Sequence, residues 1–447
     1  MKILVLTNLY PPHYLGGYEL ICHAVVNALR RRGHAVEVLT SNHRVENPKG
    51  SDEPGVERSL LVHGFYGHPW RGIRSLAKLE IENNRILKAA LERVRPDLVY
   101  VWNMGGISKS LLTTLERAGV PVAFYLSDHW IARGLAADVW MNWWNRPGSF
   151  ARRIARAALA MAGIRTRVDR LAPTTPATEL KFRRIYFCSK ALRKLTAGAG
   201  FDVMHGAVIY CPVDTKRFTG AAKGSDAPCK KLLWVGRLSE DKGIFTALRA
   251  MKSLPPALGV HLNVYGGGDA PYVAKLRAFV DENNLPVSFH RASMEEMPDA
   301  YRTHDALLFT SEWAEPFALT PLEAMASGLP VIGTTTGGSR ELFRDRDNSL
   351  TYNAGQAEEL AERIQTLVGD HELRARIAAN GQAEVRANYD EVRIVDQIEG
   401  YLCETLRVWD GRGDGPRQSG AETPHSRTLT RAPGPLETPA GSLYDAA

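Results

Sequence analysis

The stretch SEWAEPFALTPLEAMASGLPVIGTTTGGSRELF, residues 311–343, holds two glutamates eight positions apart, Glu315 and Glu323. On one continuous helix that spacing turns them about 80° around the axis, so they would not share a face. Pro316 and Pro321 point to a different arrangement. Glu315 belongs to a loop leaving a strand at Ala306–Thr310, and Pro321 lies near the first turn of a helix that carries Glu323. Gly328 stops that helix, Pro330–Thr334 reads as a buried strand, and Thr335–Gly338 opens a further helix. Two carboxylates and a Gly-rich helix start thus converge on the carboxyl ends of neighbouring parallel strands, where α/β proteins place ligands. An ordinary strand–helix–strand unit with capping acids would carry the same residues.

The sequence on the amino side has the same rhythm. A strand is expected at Lys231–Gly236, then a helix at Ile244–Met251, a strand at His261–Tyr265, a helix at Pro271–Asn284 and a strand at Val287–Phe289. The first strand runs into WVGRLSEDKG, residues 234–243. Its Arg237 and Lys242 read either as an anion site facing the Gly337-Gly338 turn or as a solvated loop pair. Tyr265 to Asp269, YGGGD, ends the next strand. Gly266 and Gly267 there form either a flat wall for a base or sugar, or a flexible turn. Helices at about 357–368, 371–388 and 390–408 close the second half.

Residues 1–215 repeat the architecture without repeating the sequence. Lys2–Asn8 is a short buried strand, Leu9–Tyr18 a loop, Glu19–Arg32 an amphipathic helix and Ala35–Thr40 a second strand. The dinucleotide signature GxGxxG is missing. Gly16-Gly17 remains, either to bring bare amides to a phosphate or to make a turn. Strands at Arg58–His63, Asp97–Trp102 and Val120–Leu126 alternate with helices at Ser75–Val94 and Ile107–Ala118. Ile185–Cys188 and Ala207–Ile209 complete the set. Ser127-Asp128-His129-Trp130 stands at a strand's carboxyl end, as substrate contacts or as a helix cap with a packing tryptophan. The architecture expected is α/β, with two Rossmann-like, doubly wound domains.

The segment between Ile131 and Phe182 breaks the alternation. Trp140, Trp143 and Trp144 stand beside Arg146, Arg152, Arg153, Arg156, Arg165, Arg167 and Arg170. Residues 140–170 therefore read as a peripheral seat on an anionic membrane, or as a solvated helix docked through its alanines and Ile154.

At 447 residues, 44% hydrophobic and 23% charged, the chain is long enough for two cores. A net charge of +7 permits an anionic ligand or surface and selects neither. No nucleic-acid reader motif accompanies it, so nucleic acid is not an expected partner. Five cysteines, never spaced CxxC, argue against a disulfide framework or zinc site and for a reducing compartment. The opening MKILVLTNLYPP has too short an apolar run for a signal peptide, and no window reaches the ~18 apolar residues of a membrane span. The expected location is the cytoplasm, with a peripheral seat on the inner face of the membrane left open. Residues 410–447, rich in Gly, Pro, Ser, Thr and Arg, are expected to be disordered.

Taken together, PPHYLGGYE, VGRLSEDKG, NVYGGGD and the E-x7-E element followed by PLEAMASGLPVIGTTTGG resemble the retaining glycosyltransferases of family 4. The resemblance spans most of residues 1–408 and implies the GT-B fold, with two Rossmann-like domains facing across a cleft. It implies an amino-terminal acceptor domain, 1–215, completed by a crossing helix at 390–408, and a donor domain, 216–389. By the same resemblance Glu323 binds the ribose of a nucleotide-sugar, Arg237 and Lys242 hold its diphosphate, and Glu315 lies against the transferred sugar. Further donor contacts are implied for Gly16, Gly17, Gly266, Gly267, Phe317, Ala318, Leu319, Thr320 and Gly338, with amides at Gly337–Ser339 aiding the phosphates. Asp128 and His129 would touch the sugar or its acceptor.

The resemblance implies no cofactor and no metal, the nucleotide-sugar being a substrate and the cations replacing the metal. Asp345-Arg346-Asp347, the one DxD-like run, reads as a solvated turn. Two departures stand out. The family often has His-Asp where this chain has Ser127-Asp128, with His129 one place later. Its Glu-Pro-Phe-Gly is Glu315-Pro316-Phe317-Ala318 here.

Overall fold

The computed structural model describes residues 1–410 except 47, 49, 136 and 223–228. The tail expected to be disordered lies outside the described residues apart from Asp410, the last helical residue.

Short apolar runs form two wholly parallel sheets. The first takes β1 (Lys2–Leu6), β2 (Ala35–Ser41), β3 (Val56–Leu60), β4 (Leu98–Val101), β5 (Val122–Leu126), β6 (Ile185–Phe187) and β7 (Ala207–Val208) in the order β3-β2-β1-β4-β5-β6-β7. The second takes β8 (Lys231–Val235), β9 (His261–Tyr265), β10 (Val287–His290), β11 (Ala306–Phe309), β12 (Val331–Thr334) and β13 (Leu350–Tyr352) in the order β10-β9-β8-β11-β12-β13. Strands paired in parallel need long crossovers, and here helices supply most of them. In each sheet the order reverses beside the first strand, at β1/β4 and at β8/β11. A ligand crevice is expected at such a switch point.

The central strands are buried on both faces. Leu98–Val101, Ala306–Phe309 and Val331–Thr334 have no exposed residue. This explains why they read as unbroken apolar runs instead of alternating ones. Boundaries fall within about two or three residues of the sequence expectation in most cases. β13, the helix Met297–Thr303 and the helix Lys190–Gly198 were not anticipated. They are short, and elements of three, seven and nine residues carry too few positions to show a clear period.

Both sheets lie within one compact unit, and a continuous core joins them. Ile3 and Val99 from the first half share it with Phe309, Phe317 and Leu322 from the second. The chain passes between the halves twice, side by side. Val213 N–H donates to the Tyr389 carbonyl at 2.9 Å, and Glu391 N–H donates to the Val213 carbonyl at 3.0 Å.

The helix Glu391–Asp410 then lies back on the first half. Arg32 reaches Asp396 at 2.7 Å and Glu399 at 2.6 Å, His34 reaches Glu399 at 2.8 Å, and Tyr401 Oη donates to the Ile185 carbonyl at 3.0 Å.

Candidate active site

Glu315 sits in the loop after β11, 7% exposed, so its carboxylate needs partners. It has two: Lys242 Nζ forms an ion pair with Oε1, and Ser311 Oγ donates to the same oxygen at 2.8 Å. Lys242 comes from the turn after β8, so the two strands at the switch point each supply one partner. The ammonium also lies 5.3 Å from the ring centre of Trp313, within cation–π range. Arg237 does not join this group. It is exposed, and its guanidinium stands 3.4 Å from Asp241 at the mouth of the loop.

Eight residues on, Glu323 occupies the helix Leu319–Ala326, where its partners differ from those of Glu315. Tyr301 Oη donates to it at 2.7 Å. Burial pushes its carboxyl up to about 7, with the Tyr301 hydrogen bond and the charge of Arg217 opposing. Ala318 caps this helix, and Ala318, Leu319 and Thr320 are partly exposed along its start. Phe317 is different. The residue is 8% exposed, its ring stacked 5.8 Å from Tyr389 and tilted against Tyr210 at 5.1 Å. It anchors the junction between the halves, so any donor contact there falls to its backbone.

The Gly-rich turn departs from expectation in kind. Gly337–Glu341 is a single stretch of 3₁₀ helix, not the start of an α-helix. The Gly338 N–H donates to the Glu315 carbonyl at 2.7 Å and the Ser339 N–H to the Thr336 carbonyl at 3.1 Å. Those two amides are therefore engaged by the loop itself. A Cβ on Gly338 would lie 2.0 Å from the Pro316 carbonyl oxygen. Glycine here serves close packing of two loops. The same holds at Gly266, whose Cβ would lie 1.9 Å from the Gly236 carbonyl oxygen, whereas Gly267 has only Arg291 at 3.8 Å.

The first sheet brings its own groups to the same place. His129, at the end of β5, packs edge-on against Trp313 at 5.4 Å, and its surroundings include the Ala314 carbonyl and the Glu315 carboxylate. Burial and Arg133 nevertheless hold its imidazolium below the usual range. Asp128 receives hydrogen bonds from Asn103 Nδ2 and from the Trp130 N–H at 3.0 Å. Burial raises its carboxyl to about 6. Gly17 touches the opposite half, since a Cβ there would lie 2.7 Å from Leu319 Cδ1. The Gly16 N–H is engaged by Glu19 Oε2 at 3.1 Å, where the glutamate caps its own helix.

Several residues in this region escaped the sequence reading. Glu341 accepts from the Lys190 and Ala191 amides at 3.0 and 2.8 Å and from Tyr210 Oη at 3.0 Å. It thereby caps the helix Lys190–Gly198 from the other half. Ser189 Oγ donates to the Pro316 carbonyl at 2.6 Å. A Ser before a helix is a visible cap signal, but its second partner is 127 positions away. Asp345 and Asp347 sit in a turn, with Asp347 paired to Arg344 at 2.7 Å and Asp345 accepting the Thr351 N–H at 2.7 Å. No group of three metal-ligating side chains occurs among the described residues.

The tryptophan–arginine segment is rearranged relative to both readings. Trp140 and Trp144 are buried against Leu76 and Leu79, and Trp143 is half-buried, so the indoles hold the segment to the fold. The helix Phe150–Met161 buries no residue, and Ile154, expected as a docking contact, is 55% exposed. No described helix is long and apolar enough to cross a membrane.

Comparison with known proteins points to one family. A family model described as Glycosyltransferase Family 4 matches residues 15–217, and one described as Glycosyl transferases group 1 matches 217–384. An uncharacterised glycosyltransferase of Methanocaldococcus jannaschii is 27% identical over 399 residues, 87% of this chain and 94% of its own. Spore coat protein SA of Bacillus subtilis is 29% identical over 178 residues, 38% of this chain. The lipopolysaccharide core biosynthesis glycosyltransferase LpsE of Rhizobium meliloti is 28% identical over 172 residues, also 38% of this chain. The alignments span 47% and 48% of those two proteins, about half of each.

Among solved structures, Anabaena HepE in complex with UDP-glucose superposes with a TM-score of 0.63 at 23% identity, covering 90% of this chain and all of that one. Sucrose-phosphate synthase from Thermosynechococcus elongatus gives 0.67 at 18% identity, over 91% and 99%. At these identities the likeness is one of fold, the GT-B arrangement of two Rossmann-like sheets.

Proposed function

The chain belongs to the family 4 glycosyltransferases, and we propose that it moves a sugar from a nucleotide-sugar to a hydroxyl of a saccharide or lipid-linked acceptor. On this reading the anomeric configuration is retained and no metal takes part. The observation that carries it is the Lys242–Glu315 pair at the carboxyl edge of the second sheet, met by His129 from the first. A carboxylate and an ammonium fixed beside each other suit a reacting centre where charge separates.

When the bond from the anomeric carbon to the diphosphate breaks, negative charge grows on the departing oxygens. Lys242 and Arg237 stabilise it as it develops. Glu315 sits against the sugar, whose ring becomes electron-poor. The acceptor oxygen forms its bond on the face the diphosphate leaves, and its proton passes to a diphosphate oxygen, so no protein base is consumed. Glu323 holds the ribose hydroxyls, remote binding that orients the reacting end.

UDP-glucose is the first donor to try, because HepE was solved in complex with it, and lipopolysaccharide-core saccharides are the first acceptors, because LpsE is named for that pathway. The test is incubation of the purified protein with UDP-, GDP-, ADP- and dTDP-sugars in EDTA, following nucleotide release and product anomers by NMR. Transfer with retention in EDTA is expected. Inverted product, a requirement for added metal, or no turnover of any donor would refute it. Sugar epimerisation without acceptor, or dependence on inorganic phosphate, would instead mark an epimerase or a phosphorylase of the same fold.

A membrane partner fits the helix Phe150–Met161. Phe150, Ile154 and Met161 are exposed on it alongside Arg152 and Arg153, an apolar and cationic surface suited to anionic lipid. Arg156 belongs to the fold, donating to the carbonyls of Trp144 and Arg146 at 3.0 and 2.8 Å. Flotation with phosphatidylglycerol vesicles is therefore compared between wild type and the double variant Phe150→Ser, Arg153→Glu. Equal flotation of the two would remove the membrane contact.

A further inference from the structure

A cavity of about 570 Å³ opens in the first half, and Asn8, Asn103, Asp128 and His129 line it together with Glu80, Lys109 and apolar side chains. Two aromatic residues of its lining are reached by water: Phe65 is 43% exposed and Trp70 is 67% exposed. Exposed tryptophans cost hydration and usually turn inward. Trp70 is held outward by construction. Its indole lies flat on Gly64, where an added Cβ would meet the ring atoms at 2.6 Å, and Gly64 adopts φ +65°. His63 packs edge-on against the indole, with ring centres 5.0 Å apart and planes at 88°.

Phe65 packs its Cβ against Gly106, at φ +75°, where an added Cβ would lie 2.9 Å from it. The loop itself is tied down, with His63 N–H donating to the Gly106 carbonyl at 2.9 Å and Arg71 N–H to His63 Nδ1 at 3.2 Å. The free indole face is a fixed platform.

We propose that Trp70, with Phe65 beside it, is the platform for one hexopyranose ring of a saccharide acceptor, a hydroxyl of which reaches Asp128. This rests on the glycosyltransferase reading and names the acceptor's class. One face of a hexopyranose carries only C–H groups, which pack on the electron-rich face of an indole, while hydroxyls project from its edges. The cavity offers both kinds of partner, the rings of Trp70 and Phe65 and the polar side chains of Asn8, Asn103 and Asp128. Asp128 takes one hydrogen bond on each carboxylate oxygen, leaving each a lone pair for an acceptor hydroxyl. An alkyl chain filling the same space would strip water from Asp128 and the two asparagines and return no hydrogen bond. The position is also the right one, since Asp128 precedes His129, which touches the Trp313–Lys242–Glu315 group.

The test uses the full-length protein and saturation-transfer NMR, with methyl glycosides of glucose, galactose, mannose and N-acetylglucosamine as probes. Dodecanoate serves as the apolar rival, and UDP binding is measured by calorimetry alongside. At least one glycoside is expected to bind, with Trp70→Ala weakening it about tenfold or more, Trp70→Phe weakening it about threefold or less, and UDP affinity unchanged in both. Both variants alter an exposed ring, so folding is not at stake. Equal glycoside affinity in Trp70→Ala, no glycoside binding, or binding of dodecanoate alone would overturn the proposal. Failure of the wild type to bind UDP counts against the donor site and leaves the glycoside result to be judged by itself.

Discussion

The imidazole of His129 meets the indole of Trp313 edge-on with ring centres 5.4 Å apart, and this contact carries the end of β5 onto the Glu315 loop. The two residues come from loops of different halves, 184 positions apart in the chain. Lys242 lies 5.3 Å from the centre of the same indole. Removing the ring should therefore disturb both sides of the cleft. Trp313→Ala is expected to lower transfer about tenfold or more while keeping most nucleotide affinity, because the ring positions the reacting groups and not the nucleoside. Nucleotide calorimetry beside initial rates checks this, and an unchanged rate would show that the contact is only packing.

Lys242→Ala leaves the Glu315 carboxylate with Ser311 alone. A buried charge deprived of its partner costs about 3–5 kcal/mol, so a lower Tm is expected together with a loss of turnover of about 10²-fold or more. The double variant Lys242→Ala, Glu315→Gln should recover much of the stability and none of the activity. Thermal melts and initial rates of the two variants separate these effects.

Gly338→Ala forces a methyl to within 2.0 Å of the Pro316 carbonyl, and backbone cannot yield as a side-chain end can. A loss of about 1–3 kcal/mol is expected. Gly17→Ala meets only the terminal methyl of Leu319, which can rotate away, so its cost should stay below about 1 kcal/mol. Urea unfolding of the pair gives the comparison, and equal losses would contradict the packing described.

Glu341→Gln keeps the volume and removes the charge that caps the helix Lys190–Gly198 from the opposite half. A loss of about 1 kcal/mol is expected, together with faster hydrogen exchange at Lys190 and Ala191. Unchanged exchange there would mean that the two halves do not depend on this cap.

Burial raises Glu323 to about 7, so between its ordinary value near 4.5 and about 7 the folded chain holds a proton that the unfolded chain has lost. Stability from this group therefore falls as pH rises through that window. Glu323→Gln cannot ionise and escapes the loss. Relative to wild type it should gain on the order of 3 kcal/mol between pH 4.5 and pH 8, while losing nucleotide affinity. Melts of both proteins across that range provide the measurement, and parallel pH curves would refute it.

Much of the fold was legible because parallel sheets bury their strands on both faces. Runs such as Lys2–Leu6 and Val331–Thr334 declare themselves by composition, and the intervening helices by period. The separate placement of Glu315 and Glu323 was legible too, since Pro316 and Pro321 break any common helix. Ser189 ahead of its helix is a local signal as well, though its bond to Pro316 is not.

What stayed hidden depends on residues far apart in the chain. The sequence shows a Gly-Gly pair at Gly337-Gly338 but not that the Gly338 amide is engaged by Glu315. It shows three tryptophans near seven arginines but not that Trp140 and Trp144 face inward. It shows Ser127 where a histidine is common, yet only the folded chain places His129 against Trp313. By itself the sequence determined two α/β halves and the loop that carries the two glutamates, because burial and proline act locally. Only the tertiary structure decided which amides, carboxylates and rings are already engaged, because each partner is chosen by where the second sheet comes to rest.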